Sequence, residues 1–284
     1  MPHAEAQGAR IYYEESGEGG TPILFIHEFA GDYRSWQGQM RHFGRARRCI
    51  TWSARGYPLS DCPEEEQLYG QDFFTRDAVA VLDAAGADRA HVVGLSMGGY
   101  TALMLAIAHP ERLVSCVAAG AGSGGLNANR PRFIAESLAR AEEFERAGRI
   151  DAEAYCQGPA RVQLQRKHPM AWRAFVEHLG EHSAHAAAKT LRRVQAGRAA
   201  LEDMEGALAG IDLPVLLLVG DEDEACLDVN LWMKRRMPSA RLAMLPGCGH
   251  VLNIEEPALF NSLVEQFIGE VERGAWQPRD AGTM

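Results

Sequence analysis

His91-Val92-Val93-Gly94-Leu95-Ser96-Met97-Gly98-Gly99-Tyr100 is the stretch on which the reading of the fold depends. Its first residues form an apolar run with two β-branched valines, which reads as a buried strand over 91–94. From Tyr100 to Ala108 the pattern is helical and stops before Pro110. Between them Ser96 sits in a Gly94-Leu95-Ser96-Met97-Gly98 spacing. A chain passing so abruptly from strand to helix needs small residues, and Gly94, Gly98 and Gly99 supply them. Such a turn exposes the Ser96 hydroxyl, and the helix N-terminus behind it favours developing negative charge. The five-residue pattern alone is modest evidence, since a chain with this much glycine shows one by chance roughly once in ten. A glycine-rich loop with a structural or phosphate-binding serine would look the same. The strand before and the helix after make Ser96 a candidate nucleophile.

Outward from this turn, short apolar runs alternate with amphipathic stretches. Strands are expected at 11–13, 22–26, 49–52, 113–118, 215–219 and 241–245, and helices at 72–85, 227–237 and 258–271. Near-continuous apolar strands in β-α-β order imply an α/β fold with a mostly parallel, doubly wound sheet. Between Gly122 and Gly210 the strand signal vanishes, and the chain becomes helical and rich in Ala, Arg and Glu. The expected organisation is a core of residues 1–121 and 211–284 with a helical cap at 122–210. The end of the chain, from Trp276 on, is expected to fray.

Composition narrows the function classes. The chain has 284 residues and a net charge of −9, which disfavours nucleic acid and anionic membrane as partners. From Asn127 to Glu205 there are 13 Lys and Arg against 11 Asp and Glu, so the middle is basic while the flanks are acidic. Exposed helix arginines explain this as well as an anionic ligand would. No apolar run approaches the roughly 20 residues of a membrane span, and the N-terminus has no secretory pattern, so a cytoplasmic location is expected. The six cysteines show no CxxC spacing and read as reduced, mostly buried thiols. Cys226 and Cys248 lie close to other candidate residues, but neither has the positive, exposed setting of a reactive thiol.

The sequence resembles the α/β-hydrolase family from about Ile11 to Phe267, most weakly in the helical stretch, and within it the serine-nucleophile esterase and lactonase branch. The resemblance implies a chain order of nucleophile, acid, histidine. The acid is expected in Gly220-Asp221-Glu222-Asp223, which points to Asp223, with Asp221 and Asp228 as rivals. The histidine is expected in Gly247-Cys248-Gly249-His250, which points to His250. A serine hydroxyl is a weak nucleophile, so His250 would take its proton and return it to the leaving group, while Asp223 fixes the imidazole. The oxyanion hole would use the backbone N–H groups of Met97 and Phe29.

Here the sequence departs from the family. The loop reads His27-Glu28-Phe29-Ala30-Gly31-Asp32, with glutamate where glycine is usual. Glu28 either points away and pairs with an arginine or lines the pocket and tunes what enters it. His27 is expected to brace the loop. The segment Arg55-Gly56-Tyr57-Pro58-Leu59-Ser60-Asp61 resembles another family loop and reads as structural. Phe29, Trp36, Met97 and Val251 are expected around the pocket, predicting an apolar acyl or alcohol group.

The implied function is cleavage of an ester or lactone, a carboxylic ester hydrolase acting on a small molecule with no cofactor or metal, as a monomer or homodimer. Carbon–carbon bond hydrolysis and perhydrolysis use the same residues and stay open. Epoxide opening is disfavoured, because Ser96 stands where aspartate would be needed and Tyr155 is the lone tyrosine of the helical stretch. His178-Leu179-Gly180-Glu181-His182 fits a zinc-protease spacing, but Gly180 weakens the helix that would carry it. A slow-turnover small-ligand receptor is the non-enzyme alternative.

Overall fold

The computed structural model describes residues 2–280. In chain order the elements begin with β1 (His3–Ala6), β2 (Ala9–Ser16), β3 (Ile23–Ile26), α1 (Gln37–Phe43), β4 (Cys49–Trp52) and α2 (Gln71–Ala84). They continue with β5 (Ala90–Leu95), α3 (Met97–Ala108) and β6 (Leu113–Ala119). Between β6 and β7 lie the insert helices α4 (Arg130–Ala147), α5 (Ala152–Cys156), α6 (Val162–Lys167), α7 (Pro169–Gly180), α8 (Ala184–Thr190) and α9 (Glu205–Ala209). The chain closes with β7 (Val215–Gly220), α10 (Glu224–Arg236), β8 (Ala240–Leu245), α11 (Leu252–Glu255) and α12 (Pro257–Glu272). Among the described residues no helix is long and apolar enough to cross a membrane.

All eight strands form one sheet in the order β1-β2-β4-β3-β5-β6-β7-β8. From β4 to β8 neighbouring strands are parallel. Every residue of β3, β5 and β7 is buried, as expected of strands covered on both faces. β1 is absent from the sequence-based expectation. Its His-Ala-Glu-Ala letters carry no β-branched residue, and it exists by pairing antiparallel with β2. The chain runs outward from β3 to β4 on one side and resumes with β5 on the other. The order therefore reverses between β3 and β5, where α/β sheets open a crevice beyond the strands' carboxyl ends.

Two loops behave as anchors. Arg55 donates to both carboxylate oxygens of Asp77, to the Leu68 carbonyl and to the Gln7 carbonyl, and both charged side chains are fully buried. This pair fixes the loop after β4 to α2. The tail does not fray as expected up to residue 280: Trp276 packs edge-on against Phe267 and donates to the Ser239 carbonyl, and the Arg279 N–H donates to Pro238. Burial of the indole outweighs the chain-end entropy there. The rest of the expected tail, 281–284, lies outside the described residues.

Candidate active site

Four strand ends converge on the crevice: Glu28 and Phe29 follow β3, Ser96 follows β5, Asp223 follows β7 and His250 lies in the loop after β8. Ser96 has φ +55° and ψ −112°, a backbone region that costs a non-glycine residue about 1–3 kcal/mol. The surroundings hold it there. Its N–H donates to the Ala119 carbonyl at 2.7 Å, and its carbonyl accepts from Tyr100 at 2.9 Å. Gly98 is needed for closeness: a β-carbon there would lie 2.1 Å from the Ile26 carbonyl oxygen. Ser96 is the N-cap of α3 and Met97 its first residue, so the Met97 N–H has no acceptor one turn earlier.

The histidine and the acid meet directly. His250 Nδ1–H donates to Asp223 Oδ2 at 2.7 Å, leaving Nε2 as the nitrogen free to accept a proton. Burial opposes charge on both groups, yet each overcomes it through the other: Asp223 raises His250 above its ordinary pKa, and His250 holds Asp223 below its own. Gly220 allows this meeting, since a β-carbon on it would lie 2.1 Å from the Cys248 carbonyl oxygen of the histidine loop. The rival acids are employed elsewhere or lie apart. Asp221 accepts from the Cys248 N–H at 3.1 Å, and Asp228 borders a separate small pocket. Cys226 is buried beside Asp223 and donates to the Gly120 carbonyl, and burial pushes its thiol pKa well up. Burial likewise raises the Cys248 thiol, which disfavours the thiolate form of both cysteines.

Ser96, Asp223 and His250 share one cavity of about 490 Å³ with Glu28 and Phe29. The insert supplies much of its wall, including Glu136, Arg140, Tyr155, Arg161, Gln195 and Arg198. Leu191 and Gln195 come from a π-helical stretch, Leu191–Ala196, whose widened turn faces both into the cavity. Of the residues expected around the pocket, Phe29 lines this cavity, whereas Trp36, Met97 and Val251 do not. Trp36 is fully buried, stacked on Phe25 and packed against Phe260, because the neighbouring sheet and helix surfaces are the larger apolar partner. Val251 is fully buried with its N–H tied to Glu255, and Met97 turns its side chain toward Tyr57.

Glu28 does both of the things left open for it. Its backbone is outside the positive-φ region, so glutamate fits without strain. Its carbonyl accepts from His27 Nδ1–H at 2.7 Å, while His27 Nε2 accepts from the Ala54 N–H. Burial lowers His27 to about 4, keeping it a neutral brace. The Glu28 side chain lines the cavity, pairs through Oε2 with Arg161 Nη2 of the insert, and lies 4.0 Å from His250 Nε2. His178 and His182 do not share a helix, because α7 ends at Gly180; His182 Nε2 donates to Asp32 at 3.1 Å.

Three residues escaped the sequence reading. Glu255 is fully buried and accepts from the N–H groups of Gly249 (2.7 Å) and Val251 (3.2 Å), clamping the turn that carries His250. Arg161 and Arg198 looked like ordinary helix arginines. Arg198 is 7% exposed, stacks 4.4 Å over Tyr100, and donates to the Ser123 carbonyl, while its Nη1 has no hydrogen-bond partner among the described residues. No carboxylate among the described residues forms an ion pair with it, and burial lowers its pKa to about 10, which leaves it charged at neutral pH.

Residues 21–257 match the family described as alpha/beta hydrolase fold. A 2-hydroxymuconate semialdehyde hydrolase of Pseudomonas sp. (strain CF600) is 30% identical over 95% of this chain and 94% of its own. Among solved structures, Est816, described as an N-acyl homoserine lactone degrading enzyme, is 27% identical with a TM-score of 0.78 over 94% of this chain and all of its own. The enol-lactonase of Burkholderia xenovorans LB400 is 22% identical with a TM-score of 0.82 over 95% of this chain and all of its own.

Proposed function

The chain belongs to the α/β-hydrolase family, and we propose that it is a serine hydrolase cleaving an ester or lactone whose acyl part carries an acid group. The observation that carries the reading is the buried His250–Asp223 hydrogen bond beside a cavity that also holds Ser96 in its strained turn. Ser96 Oγ attacks the carbonyl as His250 Nε2 takes its proton. The N–H groups of Met97 and Phe29, with the α3 N-terminus behind them, stabilise the oxyanion. His250 returns the proton to the leaving alcohol, and water then releases the acid from Ser96. The insert acts as a cap that closes the cavity. The acid-bearing substrate is supported by Arg198, a buried cation on the cavity wall with a hydrogen-bonding nitrogen to spare.

A second reading, hydrolysis of a carbon–carbon bond next to a ketone, is favoured by one observation. The relative named 2-hydroxymuconate semialdehyde hydrolase is alike over nearly the whole chain, and a serine, histidine and acid can also serve that chemistry. Fluorophosphonate labelling of wild type and Ser96→Ala, followed by acid-bearing esters, lactones and a vinylogous 1,5-diketone acid, separates these readings. Labelling that survives Ser96→Ala overturns both. Turnover confined to the diketone favours the second.

A further inference from the structure

We propose that Glu28 is a positioning residue for the water that deacylates Ser96, holding it against His250. The inference rests on the acyl-enzyme reading above. An ion pair with Arg161 alone does not account for Glu28. The carboxylate is 1% exposed, its Oε2 is shared with Arg161, and its Oε1 is buried with no hydrogen-bond partner among the described residues. A buried carboxylate with unused acceptor capacity on a cavity wall is a seat for a donor. The donor is identified by distance. Oε2, which keeps a second lone pair beyond its contact with Arg161, lies 4.0 Å from His250 Nε2, too far for a direct hydrogen bond. A water about 2.8 Å from each would subtend roughly a right angle, near the angle between its own two O–H bonds. Glu28 also directly precedes Phe29 in the loop assigned to the oxyanion, so a molecule held there lies beside the acyl carbon.

In this arrangement the water points one O–H at His250 Nε2 and the other at Glu28, which leaves a lone pair for the acyl carbonyl. Its oxygen bonds to the carbonyl carbon as the first proton passes to Nε2. The tetrahedral oxyanion then collapses, the bond to Ser96 Oγ breaks, and Oγ takes the proton back from His250. Glu28 accepts a hydrogen bond throughout and exchanges no proton with the water. An alcohol has a single O–H and cannot satisfy both partners, so Glu28 favours water over alcohols as acceptor.

That selectivity is the test, because a purely structural role would not move it. p-Nitrophenyl acetate is turned over in water–methanol mixtures, and acetic acid and methyl acetate are quantified for wild type, Glu28→Gln and Glu28→Leu. Fluorophosphonate labelling counts competent sites in each. The methyl acetate to acetic acid ratio should rise about fivefold in Glu28→Leu, with deacylation per competent site slowed about thirtyfold. Glu28→Gln keeps a carbonyl acceptor and a partner for Arg161, so its ratio should shift by less. The ratio is read from products and decides even where acylation limits turnover. An unchanged ratio in Glu28→Leu overturns the proposal, as does an equal fall in acylation and deacylation at constant ratio. Release of p-nitrophenol that does not depend on Ser96 in wild type instead removes the acyl-enzyme reading, and this inference with it.

Discussion

The two walls of the cavity are built on different principles. The sheet wall is set by backbone: Ser96 in a strained turn, Gly98 against Ile26, Gly220 against the histidine loop, and Glu255 clamping that loop through two N–H groups. The insert wall is set by charged side chains on the turns that flank its helices: Arg161 paired to Glu28 across the cavity, and Arg198 with a nitrogen unused. A wall made of backbone tolerates almost no change in shape, whereas a wall of long side chains can be altered one group at a time. The first suits chemistry that needs fixed geometry, and the second suits recognition.

The contrast is sharpest at Ser96. Ser96→Ala should lower kcat/KM by about 10⁴-fold or more while leaving thermal unfolding nearly unchanged, since the turn is held by backbone bonds that alanine keeps. Gly98→Ala tests the same wall through shape. Its β-carbon would press on the Ile26 carbonyl, so we expect a loss of about 3 kcal/mol in denaturant unfolding together with lost activity. If Gly98→Ala melts like wild type, the idea of a backbone-set wall fails.

On the insert wall, Arg198→Leu should raise KM for an acid-bearing substrate by roughly 10- to 100-fold. Its neutral ester should suffer far less, and stability should not fall by more than about 1 kcal/mol, because no carboxylate is left unpaired. Equal losses on acid and neutral substrates would remove the recognition role. The smallest effect is on pH dependence. His250 must be neutral to take the Ser96 proton, and Asp223 raises its pKa, so activity should fall as pH drops through a value above that of an ordinary histidine. With Asp223→Asn, burial prevails, and the acid limb of the residual activity should move to lower pH. A limb that stays in place would separate that ionisation from His250.

Much of the first wall was legible from the letters, and little of the second. Strand, glycine-bounded turn and helix are local features, so residues 91–108 reveal their structure without their neighbours. Asp223 was identified over Asp221 and Asp228 by the family pattern, and the hydrogen bond to His250 distinguishes it physically. Trp36 and Val251 were misread because apolar residues line pockets and cores alike, and only packing separates the two. β1 was missed because its propensity is weak and its partner strand supplies its stability.

By itself, then, the sequence determined the α/β architecture and the turn at Ser96, because periodicity and turn chemistry act over a few residues, while the candidate acid and histidine came from the resemblance to the family. Only the tertiary structure decided what the cavity is made of. Glu28 meets Arg161 across 133 positions of chain, and Arg198 loses its solvent by packing on Tyr100, 98 positions earlier. A charged residue's partner and its exposure are properties of the folded surroundings, and a sequence records the charge without recording what faces it.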